Sequence, residues 1–463
     1  MIDQRFAHRL GPLAVGALVV AGLTAGLTTT ASAAAPAAPS AAPGASAAPA
    51  AAAGTPLGDA TGITRDGDSY TISAGTAKVR VTAKDDGLIR VEMAPDGTFT
   101  DPANSDPADP NAPDADIVVK NDYAGAGSTL TESDTAYVIS TGAAKLTITK
   151  KPITLHLAKA DGTRLMDETA PLSWSSAGTT QTLAQGASEQ YFGGGMQNGR
   201  FSHRGQTIKV SRDYNWNDGG NPNAAPFYLS SNGYGVLRNT FAPGSYSFTS
   251  PASTTHEEQR FDAYYFVGDA KAAINGYTEL TGRPLALPMY ALEIGDADCY
   301  LHNANRGERE TLRDSTAIAK GYKDNQMPLG WMLVNDGYGC GYEDLPETGD
   351  VLNSYGAELG LWTESDLTNQ ESEVAAGVRV RKTDVAWVGP GYRFALDACE
   401  QSRDGIQDNS PDRATVVTVE GWAGTQRCGI PWSGDQSGSW DYIRWQIPTY
   451  AGSTDVGSAR HHR

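Results

Sequence analysis

Apolar residues recur at every second position in short runs across residues 59–284, as in Ala77–Ala83, Leu88–Met93, Ala144–Thr149 and Ile153–Ala158, and Gly, Asp, Asn and Pro separate the runs. Alternation puts successive side chains on opposite faces of a strand, so this rhythm predicts half-buried antiparallel strands and a β-sandwich. The segment Asp101–Asp116, with its Pro, Asp and Asn clusters, reads as a surface loop. After Pro284 the rhythm changes. Strand-like runs at Tyr290–Gly295, Gly330–Asn335, Leu359–Trp362, Val378–Val385, Thr415–Val419 and Gly429–Ser433 alternate with segments of helical composition at Arg306–Asn325, Leu367–Ala376, Gly391–Asn409 and Gly438–Tyr450. Repeating strand–helix units imply parallel strands joined by crossovers, which leaves an α/β (β/α)8-type TIM barrel or an open parallel sheet over residues 285–463 behind the sandwich, with the barrel the expected one. A closed barrel of this kind takes about 250 residues and rarely fewer than about 200. This segment supplies 179. The expectation is therefore an incomplete barrel of six units, and the polar ending after Ala451 reads as a truncated gene or a frameshift.

Residues 1–33 carry Arg5 and Arg9 ahead of an apolar run from Leu13 to Leu27 and end on Ala31, Ser32 and Ala33, the pattern of a cleaved secretory signal peptide. Residues 34–58 are almost entirely Ala, Pro, Ser and Gly, too poor in large apolar side chains to fold, and read as a disordered linker. The mature protein is expected to be secreted, with no membrane association after signal cleavage.

Charge narrows the partners. With 36 Lys plus Arg against 54 Asp plus Glu the net charge is −18, which excludes a nucleic-acid footprint. The four cysteines, Cys299, Cys340, Cys399 and Cys428, show no metal-binding spacing. In an oxidising compartment the expected pairs are Cys299 with Cys340 and Cys399 with Cys428, the alternative being buried free thiols. No metal and no organic cofactor is expected.

In a β/α barrel the loops after the strands converge on one cavity, so chemistry is sought at the strands' C-terminal ends. The fourth run ends in Lys382-Thr383-Asp384 with Trp387 beyond it, and the sixth ends in Trp432-Ser433-Gly434-Asp435. Two rim carboxylates flanked by indoles suit glycoside cleavage, one attacking the anomeric carbon and the other protonating the leaving oxygen. Lys382, if close, would favour an ionised Asp384. The alternative for Asp435 is a cap on the helix that begins near Ser437.

Lys382-Thr383-Asp384 resembles the nucleophile segment of glycoside hydrolase family 31. Trp422-Ala423-Gly424-Thr425-Gln426-Arg427 followed by Trp432-Ser433-Gly434-Asp435-Gln436 resembles that family's acid/base segment, 51 residues after the nucleophile. Tyr191–Gly195, Pro226–Leu229 and Gly233–Gly235 are similar to its N-terminal sandwich, which lends a loop to the substrate pocket. The resemblance implies a retaining α-glycosidase acting on α-glucans or other α-linked oligo- or polysaccharides, with Asp384 as nucleophile and Asp435 as acid/base. It also implies that Asp296, Asn335 or Asp336, Trp362 and Trp387 line the sugar pocket.

Departures from the family pattern bear on specificity. Val419 and Glu420 stand where many members carry an arginine, and residues 385–390 lack the usual acidic follow-on. These changes favour the branch that includes isomaltosyl and glucosyl transferases. The pocket histidine and aspartate that members draw from the closing part of the barrel have no counterpart here, so a poorly folded, inactive chain or a non-catalytic carbohydrate-binding remnant is the competing expectation.

Overall fold

The computed structural model describes residues 54–102, 115–197, 199–211, 223–297, 310–337, 340–363, 367–384 and 391–453. Alternation in the sequence becomes alternation in burial. Ser69–Ala74 buries Tyr70, Ile72 and Ala74, and Ala77–Asp85 buries Ala77, Val79, Val81 and Ala83. The strands assemble into two antiparallel sheets of ten and eight strands among the described residues. The larger runs from Thr207–Val210 through Gly244–Ser247, Ala252–His256, Gly178–Leu183 and Arg164–Ser175 to Thr129–Glu132. The smaller runs from Tyr191–Gly195 through Ala224–Ser230, Tyr234–Arg238 and Phe261–Val267 to Gly62–Asp66. Leu146, Ile148 and Leu157 of one sheet share a single apolar core with Val79, Tyr228 and Val236 of the other, and each such side chain contributes about 1.5–3 kcal/mol on burial.

Two features of this half differ from expectation. The folded chain begins before residue 59: Thr55–Pro56 is a strand on Arg164–Ser175, and the Leu57 amide donates to the Leu172 carbonyl at 2.7 Å. Leu57 is 1 % exposed, and this one large apolar residue at the end of an Ala/Pro tract is enough to anchor it. Residues 1–53, with the expected signal peptide and most of the linker, lie outside the described residues, as do 103–114 of the expected loop. The second feature is a helix, Ala270–Thr281, where only strands were expected. Asp269 caps it by accepting from the Ala272 amide at 2.8 Å, and Tyr277 stacks on Phe227 with ring centroids 4.3 Å apart.

Beyond this helix lies a parallel sheet of six strands among the described residues, Gly295–Ala297, Trp331–Leu333, Glu358–Thr363, Val378–Thr383, Thr415–Thr418 and Ile430–Pro431, in sequence order. It is an incomplete barrel: its inward face holds Ala297, Trp331, Leu333 and Val380, and its outward face packs Met332, Val334, Leu359, Leu361 and Val378 against helices Thr311–Asp324 and Leu345–Tyr355. The first strand starts later than the apolar pattern suggested, because Met289–Leu292 forms a 3-10 turn. Gly295 then opens the strand where a Cβ would lie 2.0 Å from the Trp331 ring. Helix Leu345–Tyr355 was not anticipated, since its Pro346 reads as a breaker; in the first turn proline is tolerated, its missing N–H having no intrahelical partner. Gln370–Ala375, Tyr392–Asn409 and Trp440–Gly452 complete the helices described around the sheet. Cys399 and Cys428 form a disulfide that ties helix Tyr392–Asn409 to the entry of the sixth strand. Cys340 is also disulfide-bonded; Cys299, its expected partner, lies outside the described residues.

The segment Trp422–Arg427 fastens barrel to sandwich. Trp422 stacks on Tyr392 with centroids 3.9 Å apart and donates its indole N–H to the Thr240 carbonyl at 2.8 Å. Gln426 reaches back to Thr281 Oγ1 at 2.8 Å.

Candidate active site

Period-two geometry decides which barrel side chains reach the interior. In the fourth strand a bulge opposite Leu359 and Gly360 leaves Val378 packed outward and turns Val380 inward, and from there alternation carries Lys382 and, one step past the strand, Asp384 inward. Parallel register sets Trp362 beside Lys382. Ladder bonds continue beyond the regular strands: the Asp384 amide donates to the Thr363 carbonyl at 3.1 Å and the Trp432 amide to the Thr418 carbonyl at 2.7 Å. Rim residues are therefore held by backbone pairing and not left on free loops.

At this rim one carboxylate, Asp384, accepts at Oδ2 from the Trp362 indole N–H at 2.9 Å and lies 3.2 Å from Lys382 Nζ. The same ammonium donates to Asp336 Oδ1 at 2.7 Å and sits 3.3 Å from the centre of the Trp432 ring. Strands two, four and six thus converge on one cation, whose side chain is 5 % exposed, and strand three joins them through Trp362 on Asp384. Asp384 is more open, at 19 %, so a reacting atom can approach it. Charge-assisted donors of this kind hold a carboxylate oxygen in one orientation. Arg381, adjacent in sequence, points the other way and pairs with Glu373 at 2.8 Å behind the sheet.

Asp435 is exposed in the loop after the sixth strand. The loop is closed on itself: Trp432 Nε1 donates to the Gly434 carbonyl at 2.7 Å, Ser433 Oγ donates to Gln436 Oε1 at 2.8 Å, and Tyr450 from the following helix donates to Ser433 Oγ at 2.9 Å. The helix cap is Ser439, whose hydroxyl accepts from the Tyr442 amide at 3.1 Å. The capping alternative for Asp435 is thereby replaced, and its carboxylate is not used in starting that helix.

Other expected pocket residues separate. Of the pair at the end of strand two, Asp336 enters the site. Asn335 is engaged in the fold, its amide donating to the Trp362 carbonyl at 3.0 Å and accepting from the Trp362 amide at 2.8 Å. Asp296 is a correction. It stands in register with outward-facing Met332, and the Tyr322 hydroxyl of helix Thr311–Asp324 takes it; burial and this carboxylate push the Tyr322 phenol up to about 12. Gly295 and Ala297 hold the inward positions of that short strand, which leaves Asp296 on the helix side. Trp387 lies outside the described residues. A residue that sequence reasoning missed is Asn223, just ahead of sandwich strand Ala224–Ser230, whose buried amide donates to the Trp432 carbonyl and accepts from the Gly421 amide. Its only sequence signal was its place beside Pro226–Leu229. Among the described residues no group of His, Cys, Asp and Glu is arranged to hold a metal ion.

A sandwich joined to a parallel β/α sheet whose strand ends gather two carboxylates, a lysine and two indoles defines a protein of the sandwich-plus-barrel glycoside hydrolase class. The comparisons agree with it. Residues 78–246 match the glycosyl hydrolase 31 N-terminal galactose mutarotase-like domain, and residues 393–458 match the glycosyl hydrolases family 31 TIM-barrel domain. The chain belongs to glycoside hydrolase family 31. It is 28 % identical over 279 residues to an isomaltosyltransferase of Sporosarcina globispora, covering 54 % of this chain and 22 % of that protein. It is 27 % identical over 218 residues to an alpha-xylosidase of Emericella nidulans, covering 42 % and 26 % respectively. The chain thus spans about a quarter of the length of these relatives. Among solved structures, a Flavobacterium johnsoniae dextranase of the family complexed with glucose superimposes with a TM-score of 0.73 at 16 % identity, over 86 % of this chain and 60 % of that one. The cycloalternan-forming enzyme from Listeria monocytogenes in complex with a pentasaccharide substrate gives 0.70 at 17 % identity, over 87 % and 48 %.

Proposed function

We propose that the protein is an exported, retaining α-glycosidase acting on α-linked gluco-oligosaccharides. The observation that carries this reading is the Asp384 carboxylate, oriented at the barrel rim by Trp362 Nε1 and Lys382 Nζ. In the first step Asp384 forms a bond to the anomeric carbon while the bond to the leaving oxygen breaks and Asp435 gives that oxygen its proton. In the second, Asp435 takes a proton from the incoming hydroxyl as its oxygen displaces Asp384. Trp362 and Trp432 offer faces for the sugar rings. Export is supported by the basic, then apolar, then small-residue pattern of residues 1–33.

Likeness to an isomaltosyltransferase supports a second reading in which the incoming hydroxyl belongs to another sugar. The two differ only in the acceptor. Incubating the chain with 5-fluoro-α-glucosyl fluoride and mapping the adduct by mass spectrometry tests both at once. The expected result is a glycosyl ester on Asp384, absent from Asp384→Asn, and oligosaccharide products then separate transfer from hydrolysis. An adduct on another residue, or binding of isomaltotriose with no adduct and no turnover, overturns the catalytic reading in favour of a carbohydrate-binding protein.

A further inference from the structure

We infer that Asn223, a sandwich residue, is a positioning residue for the acid/base group, acting on Asp435 through the backbones of Gly421 and Trp432; this rests on the reading of Asp435 given above. Asn223 is fully buried. Its Nδ2 donates to the Trp432 carbonyl and its Oδ1 accepts from the Gly421 amide, while its own carbonyl accepts from the Met196 amide at 2.7 Å. Gly421 follows the fifth strand and Trp432 the sixth, at the point where the ladder between them has ended on Thr418. The side-chain amide takes the place of a peptide group there and keeps two diverging loops in pairing distance. Asn335 likewise uses a side-chain amide in place of a peptide group, pairing with both the N–H and the C=O of Trp362 on the neighbouring strand.

The fit is specific. A Cβ at Gly421 would stand 2.9 Å from Asn223 Oδ1 and 3.2 Å from Pro431, so the amide reaches the backbone only because residue 421 is a glycine. On the other side the clip holds Trp432, whose ring faces Lys382 and whose following residues form the self-closed loop bearing Asp435. Asp435 is exposed among the described residues. Its direction is set by where the loop is fastened, and Asn223 fastens the loop's first residue to the sandwich. Replacing the amide also leaves a buried N–H and a buried C=O without partners, which disfavours the clipped loop geometry.

The test uses the full chain and two donors. α-Glucosyl fluoride departs with little need of a proton, whereas an alkyl α-glucoside or isomaltose needs Asp435. In Asn223→Ala, kcat/KM for the oxygen-linked donor is expected to fall about ten- to a hundredfold further than for the fluoride, within the range that general acids contribute. Hydrogen–deuterium exchange across residues 419–438 is expected to quicken. Equal losses on both donors, or exchange unchanged from the parent chain, overturn the proposal, and the exchange result does so even without turnover. If Asn223→Ala does not fold, Gly421→Ala displaces the same amide from the opposite side and is held to the same two outcomes. Undiminished fluoride turnover by Asp384→Asn would instead remove the underlying assignment of the site, while leaving the exchange result for the clip intact.

Discussion

Lys382 lays its ammonium 3.3 Å from the ring centre of Trp432, so the cation of the fourth barrel strand is faced by the indole of the sixth. The attraction between an ammonium and an indole face is worth about 2 kcal/mol when both are desolvated. The same ammonium spans Asp336 and Asp384, and it therefore holds two carboxylates apart while fixing the position of the platform opposite.

Lys382→Met keeps the length of the side chain and removes its charge. Two partly buried carboxylates are then left facing a neutral group, and the cost of about 3–5 kcal/mol for breaking a fully buried ion pair is the upper bound. The expected outcome is a lower urea midpoint together with loss of the covalent adduct on Asp384. A variant that traps the fluoride at the parent rate would show that the ammonium has no part in orienting the nucleophile.

Trp362→Phe preserves the packed ring and deletes the N–H that meets Asp384 Oδ2 at 2.9 Å. A hydrogen bond to a charged group contributes about 1.5–3 kcal/mol, which corresponds to a drop of about ten- to a hundredfold in kcat/KM if the bond orients the attacking oxygen. The thermal midpoint should move little, and steady-state kinetics with calorimetry on the same preparation separates the two effects.

Two buried groups in the sandwich contribute to the pH dependence of stability with opposite sign. Burial pushes Glu168 up from 4.5 to about 8, against the opposing bonds from Gln181 and the Leu155 amide. Burial, then the nearby Arg238, drives His256 well below 6.5. Above pH 4.5 the folded state keeps a proton at Glu168 that the unfolded chain loses, whereas below pH 6.5 His256 stays neutral where the unfolded chain takes a proton, so the two slopes oppose each other in the overlap. From 6.5 to about 8 the Glu168 contribution is lost at about 1.4 kcal/mol per pH unit. Urea midpoints should therefore decline from pH 6.5 to 8 for the parent chain, and Glu168→Gln should remove that part of the decline. A parent profile as flat as that of Glu168→Gln above pH 6.5 would contradict the linkage.

The Cys399–Cys428 bridge closes a segment with a sequence separation of 29. Restricting the unfolded chain over that span stabilises by about 3–4 kcal/mol. Cys399→Ser with Cys428→Ser should therefore lower the denaturant midpoint, and reducing agent should reproduce part of the shift in the parent chain. Equal midpoints with and without the bridge would place its role elsewhere.

Local pattern carried much of the architecture. Two-residue alternation marked the sandwich strands, and the change of rhythm after Pro284 marked the parallel units, because burial on one face of a strand imposes its period on the sequence. Helix Leu345–Tyr355 was hidden by Pro346, which local rules treat as a stop although a first-turn position accepts it. The strand at Thr55–Pro56 was hidden because its partner, Trp174, is more than a hundred residues away.

The site divides along the same line. Asp384, Lys382, Trp362 and Trp432 were legible as rim residues because strand ends can be located from apolar runs. Asp296 was assigned to the wrong face, since a three-residue strand offers too little pattern to tell inward from outward. Sequence by itself determined which residues lie at the ends of strands and which residue types are available there for chemistry, for both follow from local periodicity. Only the tertiary structure decided that one ammonium is shared by Asp336, Asp384 and Trp432, that Asn335 is engaged with the backbone, and that Asn223 reaches across from the sandwich. Apart from the pairing of Lys382 with Asp384, these are contacts between segments 27 to 209 positions apart along the chain, and they arise from sheet register and domain docking, which no local stretch of sequence encodes.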